Sequence, residues 1–436
     1  MIDLDGPPIY MTEFSVATVA EVEMVVTAQA LGADWGRQDA ESGVLTVYVD
    51  DLYSQDIVLF MGEQPFEYRT LLGRLEPGAH TVLFVFASEK SSPQAQGATV
   101  EQVDFIPHRP GDPDFIVYQH SPILYGRPEN NYSDVPLVMW HERGQDEVGR
   151  TVIQYSVVWS NEDGGTDTPG LMARWGRATD IEWVYRITVD EGGRIVDEQF
   201  QAPFHRHRPF RGKKQGAHPI LRVCTPNNNL CEDDTGKFRF FMSPTETLPG
   251  TDPTVPAEGR PRELIMDRHP WTYRIMVLEL TREGKVETEA DPDTVAVSDF
   301  KNYVYLGYRT NIPEVARKYY AGYYVHRDLE IQAAIRFVGE ERWHTNDHDG
   351  RLRGIRKGGW ARTTIEVPAG RTAEEIAELR FAVRPISQVK RFELLLAEIA
   401  PVFMLDRDYL PGPSVFTWQG EVRLDERDRQ IIFQLD

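Results

Sequence analysis

The chain has 436 residues, of which 41% are hydrophobic and 11% aromatic, a composition of folded globular proteins that excludes a disordered or fibrous chain. Its 47 Lys and Arg against 68 Asp and Glu leave a net charge of −21, which repels nucleic-acid phosphates and anionic membrane surfaces. The length exceeds what one hydrophobic core usually holds, so two or three domains are expected.

No apolar stretch approaches the roughly 18–20 residues of a membrane-spanning helix, so no membrane span is expected. The opening, MIDLDGPPIYMTEF, has neither the basic nor the apolar region of a signal peptide. The only cysteines, Cys224 and Cys231 in CTPNNNLC, bracket a Pro/Asn loop that closes easily. A local disulfide is favoured over two free thiols, and with it an extracellular, secreted protein whose signal peptide is not part of this sequence.

In chain order, residues 1–107 read as an all-β module of period-two strands separated by Gly, Pro, Asp and Ser turns. Within it LEPGAHTVLFVF predicts a strand buried on both faces, and Trp35 is a loop aromatic that either packs or stacks on a sugar. PHRPGDPD punctuates the chain at 107–114. Residues 114–300 predict a second β-rich module, with strands at FIVYQHSPILY, DVPLVMWHER, RTVIQYSVVWSN, IEWVYRITV, GRIVDEQFQ, HPILRVC, KFRFFMS and WTYRIMVLELT. A hairpin turn is expected at Asp163-Gly164 and a surface excursion over 244–264. Residues 301–436 mix strands with helices: one after Pro313 over EVARKYYAGYYV, and one opened by the capping box Thr372–Glu375. The fold class is mainly β: multi-domain, with jelly-roll-like β-sandwich modules and a few short helices in the C-terminal part.

The densest chemistry lies between Arg174 and His218. Ile181, Trp183, Tyr185, Ile187 and Val189 alternate against Asp180, Glu182 and Arg186 as on a half-buried strand. Asp180 and Glu182 would then stand about 6.5–7 Å apart as a rigid pair. His205 and His207 in PFHRHRPF repeat the two-residue spacing, and His218 follows. Two carboxylates can serve as acid and base in glycoside cleavage. With His205, His207 and His218, Asp180 and Glu182 can also hold one divalent ion (Ca, Mg, Mn or Zn). Asp180, Glu182, His205 and His207 are the catalytic candidates; Arg174, Trp175, Trp183 and Arg206 are the substrate-binding ones. The plain structural alternative pairs the two acids with Arg174, Arg177 and Arg186 on a solvent face. GxSxG, HExxH and P-loop motifs are absent, and WHTNDHDGRLRG places Thr345 and Arg356 where a calcium loop needs acids.

The VYVDD and LEPGAHTV patterns resemble the accessory β-sandwiches of carbohydrate-active enzymes. The run SPILYGRP, DVPLVMWHE, VIQYSVVWSNEDGGT and GRATDIEWVYRITVD, over 117–225, resembles the β-sandwich group of vacuolar-sorting-like proteins and necrosis-inducing secreted proteins. Asp180-Ile-Glu182-Trp183 corresponds to that group's Asp-Trp-Glu strand, whereas its His-Arg-His run stands here after the acids, as His205-Arg206-His207. The resemblance implies a sandwich with a divalent-metal site that touches sugar head groups. The expected function is a secreted polysaccharide-degrading enzyme, a glycoside hydrolase or lyase, whose partner is a glycan and not nucleic acid. The alternative is a non-catalytic glycan-binding or structural extracellular protein.

Overall fold

The computed structural model describes residues 8–128, 132, 135–162, 167–247, 262–288, 294, 296–320, 323–347, 355–388 and 390–435. The Asp163-Gly164 turn, most of the excursion after Pro244 and the Asp349-Gly350 turn lie outside them. The protein is mainly β, with several sheets and few short helices. It divides into two compact units, Met1–Gly165 with Thr179–Leu248, and Thr166–Ala178 with Pro249–Asp436.

The first unit begins with seven strands: β1 (Pro8–Val16), β2 (Ala20–Leu31), β3 (Val44–Val49), β4 (Leu52–Val58), β5 (Phe66–Leu75), β6 (Gly78–Phe86) and β7 (Gly97–His108). They form two sheets, β1-β6-β3-β4 and β5-β2-β7. The strand apolar at nearly every position is not the one buried throughout. β3 is buried at all positions, whereas β6 buries only Val82, Phe84 and Val85 and leaves its first residues exposed. Trp35 is 1% exposed, set edge-on against Phe60 and Tyr132, and so serves as core rather than platform.

FIVYQ, expected as strand, forms a single helical turn, α1 (Phe115–Gln119), followed by β8 (Ile123–Tyr125). Next come β9 (Pro136–Gln145), β10 (Thr151–Trp159), β11 (Ile181–Val189), β12 (Ile195–Ala202), β13 (Arg206–Pro209), β14 (Lys214–Gln215), β15 (His218–Val223), β16 (Leu230–Cys231), β17 (Arg239–Phe240) and β18 (Glu246–Thr247). One sheet runs β13-β12-β11-β10-β9-β18; a smaller one runs β14-β15-β8-β17, with β16 on β15. Hydrogen bonds tie these strands to the N-terminal sandwich: Leu71 N–H donates to the Phe241 carbonyl at 2.7 Å, and Phe241 N–H to Gln55 Oε1 at 3.2 Å. His218 Nε2 lies 3.1 Å from Glu21 Oε2, both groups buried.

The second unit holds α2 (Thr168–Trp175), α3 (Leu264–Arg268) and α4 (Trp271–Arg282). Its strands are β19 (Val286–Glu287), β20 (Val297–Ser298), β21 (Tyr303–Asn311), β22 (Arg317–Tyr320), β23 (Tyr323–His326), β24 (Leu329–Phe337), β25 (His344–Thr345), β26 (Gly359–Glu366), β27 (Ile376–Pro385), β28 (Glu393–Phe403), β29 (Trp418–Asp425) and β30 (Gln430–Gln434). Sheets β26-β21-β28-β29 and β25-β24-β27-β30 enclose one apolar core that includes Leu306, Tyr308, Ile335, Leu379, Phe381 and Ile399. Tyr305, on the opposite face of β21 from Leu306, stacks on Phe403, and Tyr273 of α4 meets both edge-on. The last turn of α2 offers the Met172 and Ala173 carbonyls to Thr364 and Thr363 of β26, at 2.8 and 2.6 Å.

Three local expectations are corrected here. WTYRIMVLELT, read as strand, is α4. EVARKYYAGYYV, read as helix, is a short turn and the antiparallel pair β22–β23. The capping box is real, with Thr372 N–H donating to Glu375 Oε2 at 2.8 Å, but it closes one 3₁₀ turn and IAELRFAV continues as β27.

Candidate functional site

The strand carrying the two acids departs from simple alternation. A β-bulge sets Trp183 opposite Ser156 but Tyr185 opposite Tyr155, which are consecutive residues of β10. Directly opposed residues share a face, so Trp183 and Tyr185 point to opposite sides. The strand is also not half-buried: every residue except Arg186 is buried, Glu182 included. Trp183 lies beneath Arg186, 4.9 Å away, and beside the ring of His207, at 4.8 Å.

Asp180 is 3% exposed. Its Oδ2 accepts from Asn228 Nδ2 at 3.0 Å, and the same amide donates to the Asn161 carbonyl at 3.2 Å. Glu182 turns to a different group. Its Oε1 lies 3.2 Å from His205 Nδ1, and its Oε2 accepts from the Gln201 amide. The Gln201 amide nitrogen lies 3.2 Å from His205 Nδ1 and the Asn227 amide nitrogen 3.4 Å from Nε2; because the Glu182 carboxylate beside Nδ1 can only accept, the proton is assigned to Nδ1. The His205 side chain is 41% exposed. A buried carboxylate therefore orients an imidazole whose other nitrogen faces the Asn227 amide across a long contact.

The local sequence explains how His205 comes to stand there. Pro203 starts a 3₁₀ turn after β12, and Phe204 and His205 then take left-handed angles, φ 65° and 54°, before β13 resumes pairing with Ala202 opposite Arg206. Left-handed backbone at bulky residues costs about 1–3 kcal/mol each and persists only when surrounding contacts impose it. Here Asn229 Oδ1 accepts the His205 N–H at 3.2 Å.

Asn229 belongs to the disulfide-closed loop. Cys224 and Cys231 are bonded, with Cα atoms 6.0 Å apart. Inside, Asn228 N–H donates to the Thr225 carbonyl at 3.1 Å, with Pro226 in the turn position it favours. Asn228 takes a left-handed φ of 50°, which asparagine tolerates. Consecutive asparagines thus reach His205, Asp180 and the His205 backbone. Asn161, Gln201 and Asn227–Asn229 were not anticipated. The signal for the last three was three asparagines in a row between the cysteines.

The remaining candidates go elsewhere. His218 donates from Nδ1 to the Ser121 carbonyl at 2.9 Å and pairs with Glu21. Arg174 and Trp175 belong to the second unit, where Lys357 lies 5.4 Å over the Trp175 ring. Arg186 bonds Gln154 and Arg177 bonds Glu263, so the arginine network envisaged for the two acids is not what holds Glu182. Asp180, Glu182, His205, His207 and His218 do not converge as one ligand set. Among the described residues no three His, Cys, Asp or Glu side chains stand together as a metal site.

No protein-family model matches this chain, and no curated protein matches it.

Proposed function

We propose that the protein is a secreted, glycan-acting enzyme in which His205 is the base and Glu182 its positioning carboxylate. One observation supports this reading above others: the buried Glu182 holds the half-exposed His205 in the tautomer that leaves Nε2 able to accept a proton. The order of support among reactions follows. Hydrolysis by paired carboxylates needs two acids facing one gap, and Asp180 is buried and capped by Asn228. Proton abstraction from a sugar ring, as in a polysaccharide lyase, needs one oriented base. In that step Nε2 takes the proton from the carbon beside the sugar carboxyl, the freed electron pair forms a double bond to the neighbouring ring carbon, and the bond from that carbon to the glycosidic oxygen breaks, the oxygen leaving with its chain and taking a proton from water.

The disulfide is consistent with an oxidising compartment, and no described helix is long and apolar enough to cross a membrane. The test is a panel of neutral and acidic polysaccharides. Wild-type protein is expected to release unsaturated ends from an acidic polymer, and His205→Ala to lose about 10²–10⁴-fold of that rate. A folded wild type that cleaves nothing yet co-sediments with a polymer would replace this reading with a non-catalytic glycan-binding one.

A further inference from the structure

We infer that the glycan is anionic and is held along the exposed edge of β13 by Arg206, Arg208 and Arg211, with Phe204 as its stacking platform; the inference rests on the reading above and narrows it. In a chain of net charge −21, no Asp or Glu occurs from Gln199 to Cys231, while Arg206, Arg208, Arg211, Lys213, Lys214 and Arg222 all do. The structure divides these six cations. Lys213 pairs with Asp234 at 2.7 Å, Arg222 with Asp233 at 2.9 Å, and Lys214 with Glu198. Arg206 instead lies 5.6 Å over the Phe204 ring, and the guanidinium groups of Arg208 and Arg211 have no carboxylate partner among the described residues.

Arg206 and Arg208 project from the same face of β13, about 6.5–7 Å apart, as an extended chain of repeating negative charges requires. β13 pairs with β12 alone and forms the end of its sheet, so its outer backbone groups are open to hydroxyls. Charged side chains on an edge also discourage strand pairing, but an aromatic side chain that is 82% exposed at the same edge has the opposite effect. Phe204 is held out by its left-handed backbone, beside His205. A single ring with a guanidinium over it suits a sugar face; membrane anchoring needs a wider apolar surface. Screening decides the same way. Glu232 accepts the Arg211 N–H at the far end of this edge, and charges interact over about 8 Å at physiological ionic strength, so a thin polymer along Arg206 and Arg208 meets fewer acids than an anionic bilayer laid over the whole face.

The experiment is calorimetric titration of the full chain with polygalacturonate, alginate and heparin, and with methyl-esterified polygalacturonate, whose charges are blocked. At least one anionic polymer is expected to bind, more weakly as salt rises, with the esterified form much weaker. The Arg206→Ala/Arg208→Ala protein, checked for fold by circular dichroism, should bind about 100-fold more weakly, and Phe204→Ala should weaken binding without changing its salt dependence. Equal affinity for charged and esterified polymer, or an unaffected double variant, overturns the inference and leaves the glycan reading standing. Binding to no polymer removes both. Arginine-dependent binding to phosphatidylserine vesicles or to oligonucleotides, with none to the polymers, reassigns the edge to those partners and overturns the inference.

Discussion

Two local departures from regular strand geometry, the bulge in β11 and the left-handed turn at Phe204 and His205, bring Glu182 against His205. Simple alternation would set Glu182 on a polar face; the bulge and the strands on both sides bury it, and His205 meets its carboxylate through the turn after β12. Four buried imidazoles outside the site follow a different rule. Burial lowers the His120 pKa to about 4 and also lowers those of His141, His326 and His344, because desolvation disfavours the charged ring. Below its ordinary value of 6.5, the unfolded chain binds a proton at His120 that the folded chain refuses until about 4. Stability contributed by the neutral ring is present above pH 6.5 and is lost as pH falls through that window. Urea midpoints measured from pH 7 to pH 4 are expected to fall, and His120→Gln should flatten the slope. A midpoint independent of pH would show that these burial effects do not reach global stability.

Among elements, the strands were the legible part. The segments read as strands at β9, β10, β12, β24, β26, β29 and β30 are strands; β30 shows the alternation of one-sided burial, whereas β9 and β10 are apolar runs buried on both faces. The failures share a cause. In WTYRIMVLELT aromatic and β-branched residues raise strand propensity, yet Thr272, Tyr273, Ile275, Met276, Val277 and Leu280 are buried around a helix packed on β21 and β28. EVARKYYAGYYV met the opposite override, and the Thr372 box capped a turn too short to grow. Half the site was legible: the acids and His205 from their types, but not Gln201 or the asparagines, whose amides gain meaning only through the disulfide-closed turn. That turn gives an element-scale prediction. Cys224→Ser/Cys231→Ser is expected to lower stability by about 2 kcal/mol and to reduce activity beyond that loss, since Asn227 and Asn229 position His205. Unchanged activity in the double serine variant, read alongside its melting curve, would separate the loop from the site.

For the whole molecule, each unit is a compact body with its own sheets. In the first, hydrogen bonds from the Leu71 and Phe241 N–H groups and the buried Glu21–His218 contact join the N-terminal sandwich to the strands that follow it. Removing one partner of a buried hydrogen bond and leaving the other unsatisfied costs about 1–3 kcal/mol. His218→Ala is therefore expected to lower the melting temperature of the entire first unit in calorimetry. A variant in which only residues 8–108 melt early would refute that coupling. Sequence patterning announced the sandwich architecture but could not announce this joining, which depends on side chains nearly 200 positions apart.

The central claim is that the Glu182 carboxylate works through His205 on a bound acidic glycan. The measurement that meets it most directly compares turnover and binding in Glu182→Gln. The amide keeps the shape and can still accept a hydrogen bond from Nδ1, but it removes the charge that stabilises the protonated ring. Turnover should fall by at least about 100-fold with the optimum displaced in pH, while polymer affinity, carried by Arg206 and Arg208, stays within about twofold. Full turnover in Glu182→Gln, with an unaltered pH profile, would contradict the account.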